Sequence, residues 1–265
     1  MFIINNWYKS KPLIGMIGCP PLPGSGAYTG MEREKYIDCV LQEARTLQEG
    51  GFDGMMLQNI GDLPVSKEAS AETIAWMSSL GALIRSEVNI PFGISLLEDD
   101  PEPILAVAHA VGAQFVRLKV YVGAMVGPDG IVEGVAARVQ RYRRALMAQH
   151  ITVFADVFDR TRMPLGNFTL EEMAHEAVWF GKAEGLVITG RNLLQSFEFH
   201  ERVKTVTDVP IWIGGGVDVD NIEQVMEKTD GMIIGTSIKK GGKLLEMIDL
   251  ERVKRLADLK RKFSV

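Results

Sequence analysis

Short apolar runs recur about every 30 residues along the whole chain, and an amphipathic stretch follows each one. That repeat is the size of one strand–helix unit. The runs are Leu13–Gly18, Asp53–Asn59, Pro91–Glu98, Gln114–Tyr121, Ile151–Val157, Gly185–Thr189, Ile211–Gly214 and Met232–Thr236. Helical periodicity covers Glu32–Gln48, Ala71–Val88, Val135–Ala148, Leu170–Phe180, Asp220–Glu227 and Leu250–Lys262, among others. Near-continuous apolar strands suit a parallel sheet sheathed by helices. Eight such units in 265 residues favour a closed barrel over an open doubly wound sheet. The expected fold class is therefore α/β, a single (β/α)8 barrel of eight parallel strands with outer helices. No linker or low-complexity stretch interrupts the series, so residues 1–265 read as one domain, with 1–12 as an N-terminal extension.

Local stop signals agree with this division. Gly50-Gly51 closes the first helix, and Asn89-Ile90-Pro91 and Asp208-Val209-Pro210 break the chain before strands three and seven. The longest irregular stretch, Cys19–Gly30, follows the first strand, and Phe158–Asn167 follows the fifth. Both fall on the carboxyl face of a barrel, where long loops carry function.

Composition excludes several function classes. The 29 Lys and Arg against 34 Asp and Glu leave a net charge of −5, without the basic excess of a nucleic-acid binder. Two cysteines, Cys19 and Cys39, cannot build a disulfide scaffold or a Cys-rich zinc site. No apolar run reaches the roughly 18 residues of a membrane span, and the first residues lack a signal-peptide core. A soluble cytoplasmic protein is expected, with no nucleic-acid partner, no membrane span and a homo-oligomeric assembly.

The strongest chemical signal sits after the last two strands. Strand seven runs into Gly214-Gly215-Gly216, and strand eight into Gly235-Thr236-Ser237-Ile238-Lys239. Glycines there let bare amides approach a phosphate, and a following helix start adds positive charge. Barrels often hold phosphate at these two loops. Glycines that merely make tight turns would leave the same trace at one loop; their presence at both, in order, favours a phosphate site. Thr236, Ser237 and Lys239 could add side-chain donors.

Strand parity nominates the rest. Val116, Leu118 and Val120 share one face of strand four, which leaves Arg117, Lys119 and Tyr121 for the interior. In strand five, Thr152, Phe154 and Asp156 face inward by the same rule. Gln58, Asn59, Ser95 and Thr189 are further candidates near the mouth. Lys119 and Asp156, near the carboxyl ends of adjacent strands, form the pair of greatest catalytic interest. Together they could transfer a proton beside a carbonyl or form a Schiff base, or they could be a structural ion pair. His109, His175 and His200 lie in helical patterns and His150 precedes strand five, which disfavours a histidine base. Cys19 reads as an inert loop thiol. Asp62 with Glu98-Asp99-Asp100 could hold Mg²⁺, but Asp100-Pro101 reads more simply as a helix cap, and no metal is assigned. Arg138, Arg141, Arg143 and Arg144 read as a solvated helix face.

An ordered set of segments carries a family resemblance over about Pro12–Lys262. It comprises Pro21-Leu22-Pro23-Gly24-Ser25, Asn59-Ile60-Gly61-Asp62-Leu63-Pro64, Val111–Arg117, Asp129–Gly134, Arg141-Tyr142-Arg143, Ala155-Asp156-Val157, Thr189-Gly190 and Gly235–Lys239. The chain resembles the BtpA/SgcQ family of ribulose-phosphate-binding-type TIM barrels. That resemblance implies a link to photosystem I assembly in cyanobacterial relatives and to a sugar-related gene cluster in enteric ones. The family tends to carry histidine at Gly18, glutamate at Gln58, asparagine at Ser95 and Lys119, and a Lys-His pair near Arg160-Thr161. The expected function is thus an enzyme or ligand-binding barrel acting on a phosphorylated, sugar-phosphate-like small molecule, with isomerase or lyase chemistry on a carbon acid. A non-catalytic assembly or sensing factor and an FMN-binding protein are the alternatives, and the sequence assigns no cofactor.

Overall fold

Successive side chains of a strand point to opposite faces, so alternation decides which residues fill a barrel and which meet its helices. The computed structural model describes Trp7 and Ser10–Phe263; of the expected extension 1–12, the remainder lies outside the described residues. Its strands are β1 (Leu13–Gly18), β2 (Gly54–Gln58), β3 (Phe92–Ser95), β4 (Phe115–Leu118), β5 (Ala124–Gly127), β6 (Gly130–Glu133), β7 (Thr152–Phe158), β8 (Met163–Pro164), β9 (Gly185–Ile188), β10 (Ile211–Gly214) and β11 (Gly231–Ile234). The sequence β1-β2-β3-β4-β7-β9-β10-β11 closes into a ring of parallel neighbours. Around it run α1 (Arg33–Glu49), α2 (Ala71–Glu87), α3 (Pro101–Ala110), α4 (Ala136–Ala145), α5 (Leu170–Trp179), α6 (Leu193–Lys204), α7 (Ile222–Lys228) and α8 (Leu250–Phe263). This is the (β/α)8 barrel that the sequence predicts.

Apolar runs overshoot the ladders where side chains capture the backbone. The third run continues to Glu98, yet the Leu97 amide donates to the Asn59 side chain instead of a neighbouring strand. The fourth run stops at Leu118 because the Lys119 and Val120 amides donate to Asp99. Tyr121, expected inside the barrel, leaves it altogether: its hydroxyl donates to the Gly181 carbonyl beside α5.

Two apolar clusters result. The larger one joins the outward strand residues, such as Val116, Leu118, Val153 and Ile213, to the helices. The smaller fills the barrel with Ile14, Met16, Met56, Phe115, Phe154, Val187, Trp212 and Ile233. Three rings dominate it, with Phe154 stacked on Trp212 at 3.8 Å and Phe115 edge-on at 5.7 Å from Trp212. Each ring lies over a glycine of a neighbouring strand. A Cβ at Gly93 would fall 2.2 Å from Phe115, one at Gly185 2.2 Å from Phe154, and one at Gly231 2.5 Å from Trp212. The Trp7 ring, 5.8 Å from Phe115 and 5.6 Å from Trp212, closes this end.

A three-stranded antiparallel sheet of β6, β5 and β8 stands beside the barrel and was not anticipated. Its signal is the Pro128-Asp129-Gly130 turn between the apolar pairs Met125-Val126 and Ile131-Val132. Arg162 fastens this hairpin to the loop after β7 by pairing with both Asp129 and Asp159. Of the α4 arginines expected on a solvated face, Arg138, Arg141 and Arg144 are exposed and Arg143 is the exception. Arg143 is buried, bonding Glu184 and the Gln149 carbonyl, and Arg138 reaches Asp100 and Glu102.

Candidate functional site

The strands' carboxyl ends surround a cavity of about 440 Å³. Its first wall is the pair of glycine turns. Gly215 and Gly216 adopt φ of +97° and +78°, and nothing lies within 4 Å of where their Cβ atoms would stand. Only glycine takes that backbone without strain. The turn is held by Asn221, whose amide donates to the Gly216 carbonyl while its oxygen accepts from the Asp218 amide. Asp218 in turn accepts from the Asp220 amide. After β11, Gly235 leads into a 3₁₀ turn at Thr236–Ile238. The Gly216 and Val217 amides donate to no acceptor among the described residues, and the first amides of a helical turn have no partner within it. The Ser237 hydroxyl donates to the Val217 carbonyl and ties the two turns together.

The floor is polar. Arg117 on β4 and Asp156 on β7 form a two-point pair, Nε to Oδ1 at 2.8 Å and Nη2 to Oδ2 at 2.7 Å. Nη2 also lies 3.4 Å from the Thr189 hydroxyl after β9. Burial pushes the Asp156 carboxyl above its ordinary value against the pull of Arg117. On β2, Gln58 donates to the Ser95 hydroxyl at 3.0 Å.

The second wall carries Lys119, Asp159, Arg160 and Thr161. Lys119 is aimed by Asp99, a buried residue with φ of +53° whose carboxylate accepts from the Lys119 amide at 2.7 Å and from Val120 at 3.3 Å. Burial raises Asp99 to about 6, and Lys119 moderates the rise. Burial would raise Asp159 too, but Lys119, the Thr161 bonds and Arg162 outweigh it and hold that carboxyl below its usual range.

The structure brings most of the candidates to one cavity: Gln58, Lys119, Asp156, Thr189, Gly214, Gly215, Gly216, Gly235, Thr236 and Ser237 line it. Three candidates lie elsewhere. Lys239 is fully buried and donates to both Glu43 oxygens at 2.6 and 2.7 Å, so it braces the last loop against α1 and offers nothing to a ligand. Ser95 is fully buried beneath Gln58. Asn59 is spent on Asp62, Glu98 and the Leu97 amide. Asp156 pairs with Arg117 and not with Lys119, because Lys119 lies past the end of its strand.

The remaining alternatives also resolve locally. The carboxylates considered for Mg²⁺ are bonded elsewhere, Asp62 to the Leu22 amide and Asp100 to the Ala69 amide and Arg138. Asp100 does occupy the cap position before Pro101, but its side chain makes no cap bond. Cys19 is buried beside Met77, and burial pushes its thiol up to about 12, the state of an inert thiol. None of the four histidines is among the residues lining the mouth. A crevice of about 730 Å³ opens at the opposite end, lined by Phe154, Trp179, Asp208 and Pro210 among others.

Strand parity placed Arg117 inward without giving it a site role, the family resemblance alone pointed to Arg160 and Thr161, and Asp159 was missed. Parity carried the first signal, and the long Phe158–Asn167 loop, in which Asp159 lies, carried the last.

The fold and family follow from comparison with known proteins. A solved thiamine phosphate pyrophosphorylase from Pyrococcus furiosus superposes with a TM-score of 0.60 at 16% identity, covering 97% of this chain and 99% of that one. At that identity the likeness concerns the fold, a TIM barrel. An uncharacterized protein of Thermococcus kodakarensis is 35% identical, with 95% of this chain and 96% of the relative covered. The Photosystem I biogenesis protein BtpA of Synechocystis is 32% identical over 96% of this chain and 89% of its own length. The BtpA family profile matches residues 9–262, and the chain belongs to the BtpA family.

Proposed function

We propose that the barrel binds a phosphorylated small molecule of the sugar-phosphate class across its mouth and carries out carbon-acid chemistry on it, as an isomerase or lyase. One observation carries the reading: the turns after β10 and β11, with the Gly216 and Val217 amides left without an acceptor among the described residues, line a cavity whose other wall bears Lys119 and whose floor bears Asp156. Amides at such turns, with the start of a helical turn, form an anion cradle. The solved barrel similar to this one is named for thiamine phosphate, which agrees with a phosphorylated ligand.

The residues divide into roles. Gly215, Gly216, Gly235 and Thr236 hold the phosphate, whose binding energy orients the rest of the molecule. Lys119 supplies the electrophile or the amine of a Schiff base. Asp156 is the general base; Arg117 occupies two of about four acceptor positions of its carboxylate and leaves the others for substrate. Arg117 itself is aligned to stabilise an oxyanion that forms on proton abstraction.

A thermal-shift panel of phosphate, sulfate, sugar phosphates and nucleotides tests the reading. A ligand at 100 times its Kd stabilises the fold by about 2.7 kcal/mol. The reading expects a selective response to a sugar phosphate that Gly216→Val abolishes. Borohydride trapping with the responding ligand then separates a Schiff base on Lys119 from enolising chemistry. Full turnover by Lys119→Ala would contradict its assigned role.

A second reading, a non-catalytic assembly or sensing factor, draws on the Synechocystis relative named for photosystem I biogenesis. It expects ligand binding without turnover and a protein partner recovered with the chain. An FMN protein ranks third. Phosphate of FMN would fit the turns, but no aromatic ring is among the described residues lining the cavity to stack on an isoalloxazine.

A further inference from the structure

We infer that the mouth cavity takes a ligand with an anion at each end, a phosphate monoester whose second group, a carboxylate or a further phosphoryl group, is held by Lys119 and Arg160. The inference rests on the phosphate-binding reading above and adds to it the charge of the ligand's far end.

The ring order separates the two ends. In the closed ring β10 stands across from β3 and β11 from β4, the strand that Lys119 follows. Arg160 follows β7, the neighbour of β4, and both cations line the same cavity as Gly216 and Thr236. The charged lining on this side is Arg117, Lys119 and Arg160 against Asp156 and Asp159.

The carboxylates here already have direct partners. Both Asp156 oxygens accept from Arg117. Asp159 accepts from the Thr161 amide and hydroxyl at one oxygen and from Arg162 at the other. Asp99, which is not among the lining residues, accepts from the Lys119 and Val120 amides. The two cations differ from them. Neither the Lys119 ammonium nor the Arg160 guanidinium makes a hydrogen bond or ion pair among the described residues. Lys119 lies within electrostatic reach of Asp99, Asp156 and Asp159 but pairs with none of them.

A cleft wall of low dielectric focuses the field of such charges into the cavity. An anion arriving here gains charge-assisted hydrogen bonds from an ammonium and a guanidinium, and no ion pair of the protein has to break. A hydroxyl in the same place is a neutral acceptor and forms weaker bonds. The cavity of about 440 Å³ falls within the size range of small-molecule sites, with room for a chain of about six carbons between the two anions. Backbone amides thus read one anion and two side-chain cations the other.

Calorimetric titration of the full chain at low salt tests this, with inorganic phosphate, glucitol 6-phosphate, 6-phosphogluconate and glucitol 1,6-bisphosphate as probes. The organic probes share a six-carbon chain and one phosphate, and their far carbon carries a hydroxyl, a carboxylate or a second phosphate. At least one doubly anionic probe is expected to bind about tenfold tighter than glucitol 6-phosphate, and which one does so identifies the second group. Arg160→Ala should cut that gap to under about threefold, and Arg160→Lys should keep most of it. Arg160 is exposed, so its replacement leaves the core untouched. A gap under threefold for both doubly anionic probes on the unaltered chain overturns the inference and leaves the phosphate site standing. So does a gap that survives in full in both Arg160→Ala and Lys119→Met. Failure of all the probes to bind, inorganic phosphate included, overturns the phosphate reading, and this inference with it.

Discussion

The inside of this barrel has two halves with opposite chemistry, built from the same strands and the same inward parity. At one end Phe115, Phe154 and Trp212 interlock over Gly93, Gly185 and Gly231, closed by Trp7. Two residues further along the same strands stand Arg117, Asp156 and Gly214. The aromatic end is a cluster of stacked and edge-on rings, and the polar end is a set of ion pairs and unpaired amides. The difference shows that inward direction alone does not mark a functional residue. Depth along the strand decides whether an inward position is filling or chemistry, as expected when barrel sites lie at the carboxyl face.

The largest expected effect breaks the polar half. Arg117→Ala leaves Asp156 buried without its partner, and removing one member of a buried pair costs about 3–5 kcal/mol. Chemical denaturation measures it; a loss under 1 kcal/mol would mean that the pair is not the keystone of this layer. The aromatic half should break independently by overpacking. Gly93→Ala pushes a methyl into Phe115, at a cost of about 1–3 kcal/mol, and should leave phosphate affinity unchanged. A large change in affinity would show that the halves are coupled.

Much of this comparison was legible in advance, and the illegible part has a physical cause. Eight apolar runs and the glycine turns located the barrel and the mouth, because burial and tight turns leave compositional traces. Parity put Arg117, Phe154 and Asp156 inside. It failed at Tyr121, where Asp99 had already ended the strand through two side-chain bonds that no periodicity reveals. It could not see that Lys239 would be claimed by Glu43, which is 196 positions away in the chain. Long-range charge pairing of this kind decides which cations of a loop are free for a ligand.

Asp99 sharpens the comparison through pH. Its folded value of about 6 lies above the roughly 3.9 of an unfolded chain, so folding favours its protonated form. Its stabilising contribution is full below pH 4 and is lost as pH rises through 6. Relative to Asp99→Asn, the native chain should therefore lose up to about 3 kcal/mol between pH 4 and 7. Urea midpoints at several pH values check it, and parallel curves would contradict the burial of this carboxyl. The smallest stability effect belongs to the phosphate turn. Gly216→Val projects into open space, so its cost is confined to backbone strain of about 1–2 kcal/mol, while phosphate binding is lost.

The most direct test follows the amides themselves. The chain holds 27 glycines, placed at both ends of the barrel, and labelling them with ¹⁵N gives each an amide signal. Titration with inorganic phosphate should move the Gly216 and Gly235 signals in a saturable way and leave Gly93, Gly185 and Gly231 still. Movement at the aromatic end, or no movement at any glycine, would contradict the assignment of the mouth as the anion site.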